Sequence, residues 1–267
     1  MLCNRKFEII CYLYYALVMK QTKIYIYGKH ALTEALRYAP HAVKKIHIAK
    51  KLDDDKLRSL IDKSKIPVAS LESKHVSSLE GNATHQGVIG VVAVNELVQS
   101  FDAFMRSLPL SPKTSLVILG EVQDPHNVGA VIRSAAAFGV AGVLIPEHNQ
   151  APITGAVVKV SAGMAFRVPL VSIGNVNQTI RELKDAGFVI YGLDGSGKER
   201  LPQQKFDEPS VFILGNESTG IREKTRELCD HLLCIPMHGR AESLNAAVSA
   251  SVVLYAWSTI HPDSLKN

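Results

Sequence analysis

The stretch 115-SLVILGEVQDPHNVGAVIRSAAAFGV-140 decides the fold. Residues 115–119 carry no charge and do not alternate, as expected of a strand buried on both faces. Asp124 or Asn127 could then cap a helix, and Pro125 restricts its entry. Val128, Val131, Ile132, Ala135 and Ala136 repeat at helical spacing after that. Asp124, His126 and Asn127 sit at the mouth of this strand–turn–helix unit, and Arg133 follows about two turns along. The spacing therefore predicts one unit of a parallel α/β sheet, with chemistry at its open end.

The pattern continues downstream. Residues 141–146, 166–171, 188–194, 210–216 and 231–237 read as near-uncharged strands, and 175–187, 221–229 and 243–260 as helices. Apolar strands separated by helices predict a mostly parallel sheet covered on both faces, with ligands at the strand carboxyl ends. Upstream, residues 19–95 predict a smaller α/β module. Its strands are KIYIYG, VKKIHIAK, IPVASL and QGVIGVVAV, and its helices KHALTEALRYA and DDDKLRSLIDKSK; SKHVSSLEG reads as helical or irregular. Residues 96–114 hold a short amphipathic piece, two prolines and several Ser/Thr, and read as a linker before a domain at 115–267.

Residues 9–19 form an uncharged run of eleven behind Arg5 and Lys6. It is too short to span a bilayer, which takes about 20 apolar residues. It has the length of a signal-peptide core, yet no small-residue cleavage site follows. Met19 reads instead as the true start, since MKQTKIYIYGKHAL opens a credible soluble domain, and residues 1–18 are set aside as an extension.

The 267 residues are 46% hydrophobic and 21% charged, which excludes a disordered chain. Four cysteines without a CxxC pair argue for reduced thiols in the cytoplasm and against a zinc site. The net charge of +5 is unevenly placed: +6 over residues 20–95 and −2 over 96–267. That asymmetry predicts a first module that meets a polyanion.

Two further strand ends are unusual. LGNESTGIR (214–222) has glycines at the spacing of a phosphate loop but lacks its Lys and Ser/Thr, and its glutamate would repel phosphate. IPMHGRAESLNAAVS (235–249) leads through Ser243 and Asn245 into a helix of small residues; helix capping explains one of the two, not both.

These three segments, in this order, resemble the motifs of the SpoU (TrmH-type) branch of the SPOUT RNA methyltransferases. IYGKHALTEAL and HQGVIGVV resemble the RNA-binding domain that precedes it in the subgroup modifying large-subunit ribosomal RNA. The resemblance implies an α/β fold with a knotted, mostly parallel sheet and a C-terminal trefoil knot, preceded by a small α/β RNA-binding domain. It implies a homodimer that transfers methyl from S-adenosylmethionine to a ribose 2′-hydroxyl, without metal or membrane. The expected target is a guanosine of rRNA. The alternatives are tRNA, or a catalytically silent RNA-binding assembly protein. The catalytic residues it implies are Arg133, Asn127, Glu217, Ser243 and Asn245, and the cofactor residues Gly215, Ile235 and Leu244.

The chemistry agrees with that set. A ribose hydroxyl needs positioning and help for a developing alkoxide. Arg133 either takes the proton, for which a guanidinium is a reluctant base, or grips the neighbouring phosphate and stabilises the alkoxide. Glu217 could hold Arg133 or a backbone group across the dimer interface. His126 reads as a surface or packing residue more than a base. His85, Gln86, Gly87, Lys29, Arg37, Lys44 and Lys45 are candidate RNA contacts.

Overall fold

The computed structural model describes residues 23–50, 52–71 and 85–266. The extension and SKHVSSLEG lie outside the described residues. Two compact units emerge, Met1–Leu97 with Pro152–Gly155, and Val98–Ala151 with Ala156–Asn267.

The first unit is built on β1 (Lys23–Tyr27), α1 (Lys29–Tyr38), β2 (Val43–Ile48), α2 (Asp55–Ser64), β3 (Val68–Ser70) and β4 (Val88–Ala93). The sheet order is β1-β4-β2-β3, antiparallel except for the β2–β3 pair. β4 is central, which is why all six of its residues are buried. Asp54 caps α2 by accepting from Leu57 N at 2.9 Å.

The second unit opens with β5 (Val98–Ser100) and α3 (Phe101–Ser107), inside the stretch read as a linker. β5 pairs with the sheet as its edge strand, and Phe104 enters the core with Phe101, Met105 and Leu108 around it. The amphipathic piece is thus part of this unit, because its apolar face has a core to join. Then follow β6 (Ser115–Leu119), α4 (Pro125–Ala137), β7 (Gly142–Pro146), α5 (Gly155–Val160), β8 (Leu170–Ile173), α6 (Val176–Asp185) and β9 (Val189–Leu193). β10 (Glu199–Arg200), β11 (Ser210–Leu214), α7 (Glu223–Arg226), β12 (His231–Cys234) and α8 (Ala246–Ile260) complete it.

All eight strands of the large sheet run parallel, in the order β10-β12-β9-β11-β6-β7-β8-β5. β6 and β11 are neighbours in register from Ser210↔Ser115 to Leu214↔Leu119, and every residue of both is buried. Leu116, Ile118, Val211 and Ile213 fill one face with α6 side chains Ile180 and Leu183. α4 and α8 pack side by side, joined by a Ser134–Ser251 hydroxyl pair at 2.7 Å and an edge-on Phe138–Tyr255 contact. Two expectations shift in detail: Phe166 ends a 3-10 turn and residues 167–169 are irregular, so the strand starts only at Leu170, and α5 occupies a stretch the sequence left without an element. Among the described residues no helix is long and apolar enough to cross a membrane.

Candidate functional site

The sheet order sends the chain from β6 out to β8 and back across to β9, so the carboxyl ends of β6 and β11 form a switch point. The loops 120–124, 215–222 and 235–245 meet there.

Asp124 is the cap of α4, accepting from His126 N at 2.8 Å. That leaves the amide of Asn127, one turn in and only 8% exposed, free for other work. Its Nδ2 donates to Glu217 Oε1 at 3.0 Å, and its Oδ1 accepts from Asn245 Nδ2 at 2.9 Å. The backbone N–H groups of Gln123 and Asp124 approach the same carboxylate at 3.4 Å. Asn245 also caps α8, its Oδ1 accepting from Ala247 N at 2.8 Å and Val248 N at 3.3 Å. One amide thus serves both readings of that loop. Burial acts to raise the Glu217 carboxyl, but the Asn127 amide and the backbone N–H groups outweigh it and hold the group below the ordinary carboxylate range. Glu217 is therefore an ionised acceptor.

The turn that carries Glu217 is tightly closed. Asn216 and Gly220 exchange backbone hydrogen bonds at 3.0 and 2.9 Å, and Asn216 Oδ1 accepts from Ser218 N at 2.9 Å. A Cβ on Gly215 would lie 2.5 Å from Ile221 N and overlap the Gly220 carbonyl carbon. The turn itself excludes a side chain there.

Beside this network lies a cavity of about 400 Å³, lined in part by Gly215, Ile235 and Leu244. Glu217 and Ser243 also face it. The sequence reading missed its third wall, Leu193, Asp194 and Gly195 at the end of β9. Burial acts to raise Asp194, but hydrogen bonds from Ser196 and the charge of Arg226 hold it below the ordinary range. The available signal was GLDG, an acid flanked by glycines at a strand carboxyl end.

Arg133 stands apart from this constellation. It is exposed on α4 and, among the described residues, makes no hydrogen bond or ion pair. Within the chain Glu217 does not reach it; that carboxylate meets Asn127 and the 123–124 backbone. His126 is exposed and does not line the cavity. In the first unit, Lys29 Nζ donates to Asp53 O, Lys44 pairs with Glu96, and Gln86 Oε1 accepts from Lys29 N at 3.0 Å. His85 Nδ1 accepts from Gly87 N, while Arg37 and Lys45 are exposed. Among the described residues no group of three or more His, Cys, Asp or Glu could hold a metal ion.

Residues 114–255 match the profile described as the SpoU rRNA Methylase family, and residues 25–98 the one described as RNA 2'-O ribose methyltransferase substrate binding. The chain is 35% identical over 232 residues to the 23S rRNA (guanosine-2'-O-)-methyltransferase RlmB of Neisseria meningitidis serogroup B, covering 86% of this chain and 92% of that protein. It is 33% identical to a putative TrmH family tRNA/rRNA methyltransferase of Staphylococcus haemolyticus, covering 87% and 94%. The solved structure of the SpoU methyltransferase AviRb from Streptomyces viridochromogenes, in complex with AdoMet, matches with a TM-score of 0.79 at 24% identity. That match covers 90% of this chain and 91% of that one, and it is a likeness of fold.

Proposed function

The chain belongs to the SpoU rRNA methylase family, and from that membership we propose that it transfers a methyl group from S-adenosylmethionine to a ribose 2′-hydroxyl of RNA, on a guanosine of large-subunit ribosomal RNA. The relatives named for that reaction align with most of its length. Within the molecule, the observation that carries the reading is the Glu217–Asn127–Asn245 chain of hydrogen bonds, whose Glu217 end lines a cavity at the strand carboxyl ends.

The cavity suits the donor. Its volume falls among small-molecule sites, which run from about 300 to 1,000 Å³. Leu193, Ile235, Met237 and Leu244 supply apolar walls, and the backbone at Gly195 and Gly215 leaves main-chain groups accessible. Gly215, Ile235 and Leu244 would hold the cofactor, which supplies a methyl group on a positively charged sulfur and so needs no further activation. The residues then have only to present the hydroxyl. Asn127, fixed at both ends of its amide, would act from behind the cavity by holding Glu217 in place beside the ribose. Ser243 lines the cavity itself, and Asn245 anchors Asn127 to α8. Arg133, exposed and without a partner among the described residues, would grip the target phosphate and stabilise the oxygen as its proton leaves.

The same reading takes the protein as a cytoplasmic homodimer with a C-terminal trefoil knot and no catalytic metal. In support, Val248 and Tyr255, two turns apart on one face of α8, are 47% and 59% exposed beside the helix that carries Arg133. A second copy would cover this stripe. In support of the knot, β12 lies between β9 and β10 while the helix that follows it packs on α4. The basic first unit would supply RNA affinity, with Arg37 and Lys45 exposed to do so.

Mapping 2′-O-methyl positions in RNA from cells with and without the gene tests the reading. Loss of methylation at a guanosine of large-subunit rRNA is the expected result. Loss only in tRNA, or at no position, would overturn it.

A further inference from the structure

Glu121 lies where a side chain is least expected. Its φ is +66°, a left-handed conformation that glycine takes freely and other residues rarely do. The glycine stands one position earlier, at 120, because a Cβ there would overlap the Leu214 carbonyl oxygen. A residue held in that conformation motivates a search for what its side chain does.

The carboxylate grips Arg222 with both oxygens. Arg222 Nη2 lies 2.7 Å from Glu121 Oε1, and Arg222 Nε donates to Oε2 at 3.0 Å. Such fork-on-fork pairs fix direction as well as distance. The backbone carbonyl of Glu121 accepts from Asn216 Nδ2 at 2.9 Å. Arg222 and Asn216 bracket the turn that carries Glu217. On the other side, Val122 N donates to Oε1 of the fully buried Gln150 at 2.9 Å, and Ala151 N donates to Val122 O at 3.0 Å. The next two residues are Gln123 and Asp124, whose N–H groups meet the Glu217 carboxylate. Glu121 thus joins a loop anchored below by Gln150 to the turn that delivers Glu217.

The geometry points to Glu121 as a positioning residue for methyl transfer: through its two-pronged pair with Arg222 it clasps the 216–220 turn in the position that sets Glu217 against Asn127. The inference rests on the methyltransferase reading and adds to it a residue outside the three motifs' assigned roles.

Glu121→Gly separates positioning from fold maintenance. Glycine relieves the backbone conformation while removing the clasp, so thermal stability and activity should part company. In the full-length protein we expect a Tm at or above that of the parent. We also expect single-turnover methyl transfer at saturating RNA and cofactor to fall by about fivefold or more, with RNA affinity unchanged. Amide exchange in residues 216–220 should quicken. Arg222→Lys, which keeps the charge and loses the fork, should fall between parent and Glu121→Gly. A Glu121→Gly rate within about twofold of the parent, or a rate loss that merely tracks a lowered Tm, overturns the inference. So does unchanged exchange in 216–220, which reads the clasp without any RNA. A parent protein that transfers no methyl overturns the methyltransferase reading instead.

Discussion

The inner mouth of the large sheet and the outward face of the α4–α8 helix pair treat polar groups in opposite ways. At the mouth, Asn127 makes hydrogen bonds through both ends of its amide, and Glu217 takes three donors. On the outward face, six residues along the same helix, Arg133 has no partner among the described residues and lies beside the helix that carries the exposed Tyr255. A satisfied, partly buried network is rigid and costly to break. An exposed free guanidinium costs the fold nothing and stays available to a second molecule. On the proposed reading, the chain fixes the polar groups of its mouth by itself and leaves Arg133 to be engaged by a second molecule.

Three substitutions sharpen or break that contrast. Asn127→Ala should act on both stability and rate. It leaves a Glu217 oxygen and the Asn245 amide without their partner, at a cost of about 1–3 kcal/mol. Urea unfolding should show the loss, and methyl transfer should fall with it. Unchanged unfolding would mean that the mouth is not one network. Arg133→Lys should act on rate alone, by about tenfold or more, equivalent to roughly 1.4 kcal/mol of barrier. Its unfolding curve and cofactor affinity, read by calorimetry, should match the parent; a stability loss would erase the distinction between the two regions.

Glu217→Gln should give the smallest effect, seen in the pH dependence of stability. A carboxyl held below its ordinary value contributes stability above the unfolded value, about 4.3 for glutamate, and that contribution fades as pH falls through the folded value. The parent should therefore exceed the variant at neutral pH, and the gap should close in acid. A gap that widens in acid would reverse the assigned direction.

The sequence made the strands legible because a sheet covered on both faces demands uncharged runs, and β6, β7 and β11 comply throughout. The three motif loops were legible because Asn, Glu and Gly at strand ends have few packing reasons to be there. Phe101–Ser107 was not read as core, since a seven-residue amphipathic piece near prolines looks the same in a linker. Nor was the bond between Asn127 and Asn245, 118 positions apart, or the left-handed backbone at Glu121, which residue type argues against. Arg133 was found by type and place, but its isolation from Glu217 appeared only with the geometry.

The position of β12 has a consequence in time. It slots between β9 and β10, pairing His231↔Tyr191 on one side and Glu199↔Leu233 on the other, although it follows both in the chain. Asn245 and the Ile235–Leu244 wall come later still. A nascent chain that has emerged only through β11 would present an unclosed sheet, half a cavity and an Asn127 lacking one partner. Such late, long-range pairing is slow and exposes strand edges while it waits. On this account the proposed site stays incomplete during synthesis until the segment that begins at His231 has emerged and paired.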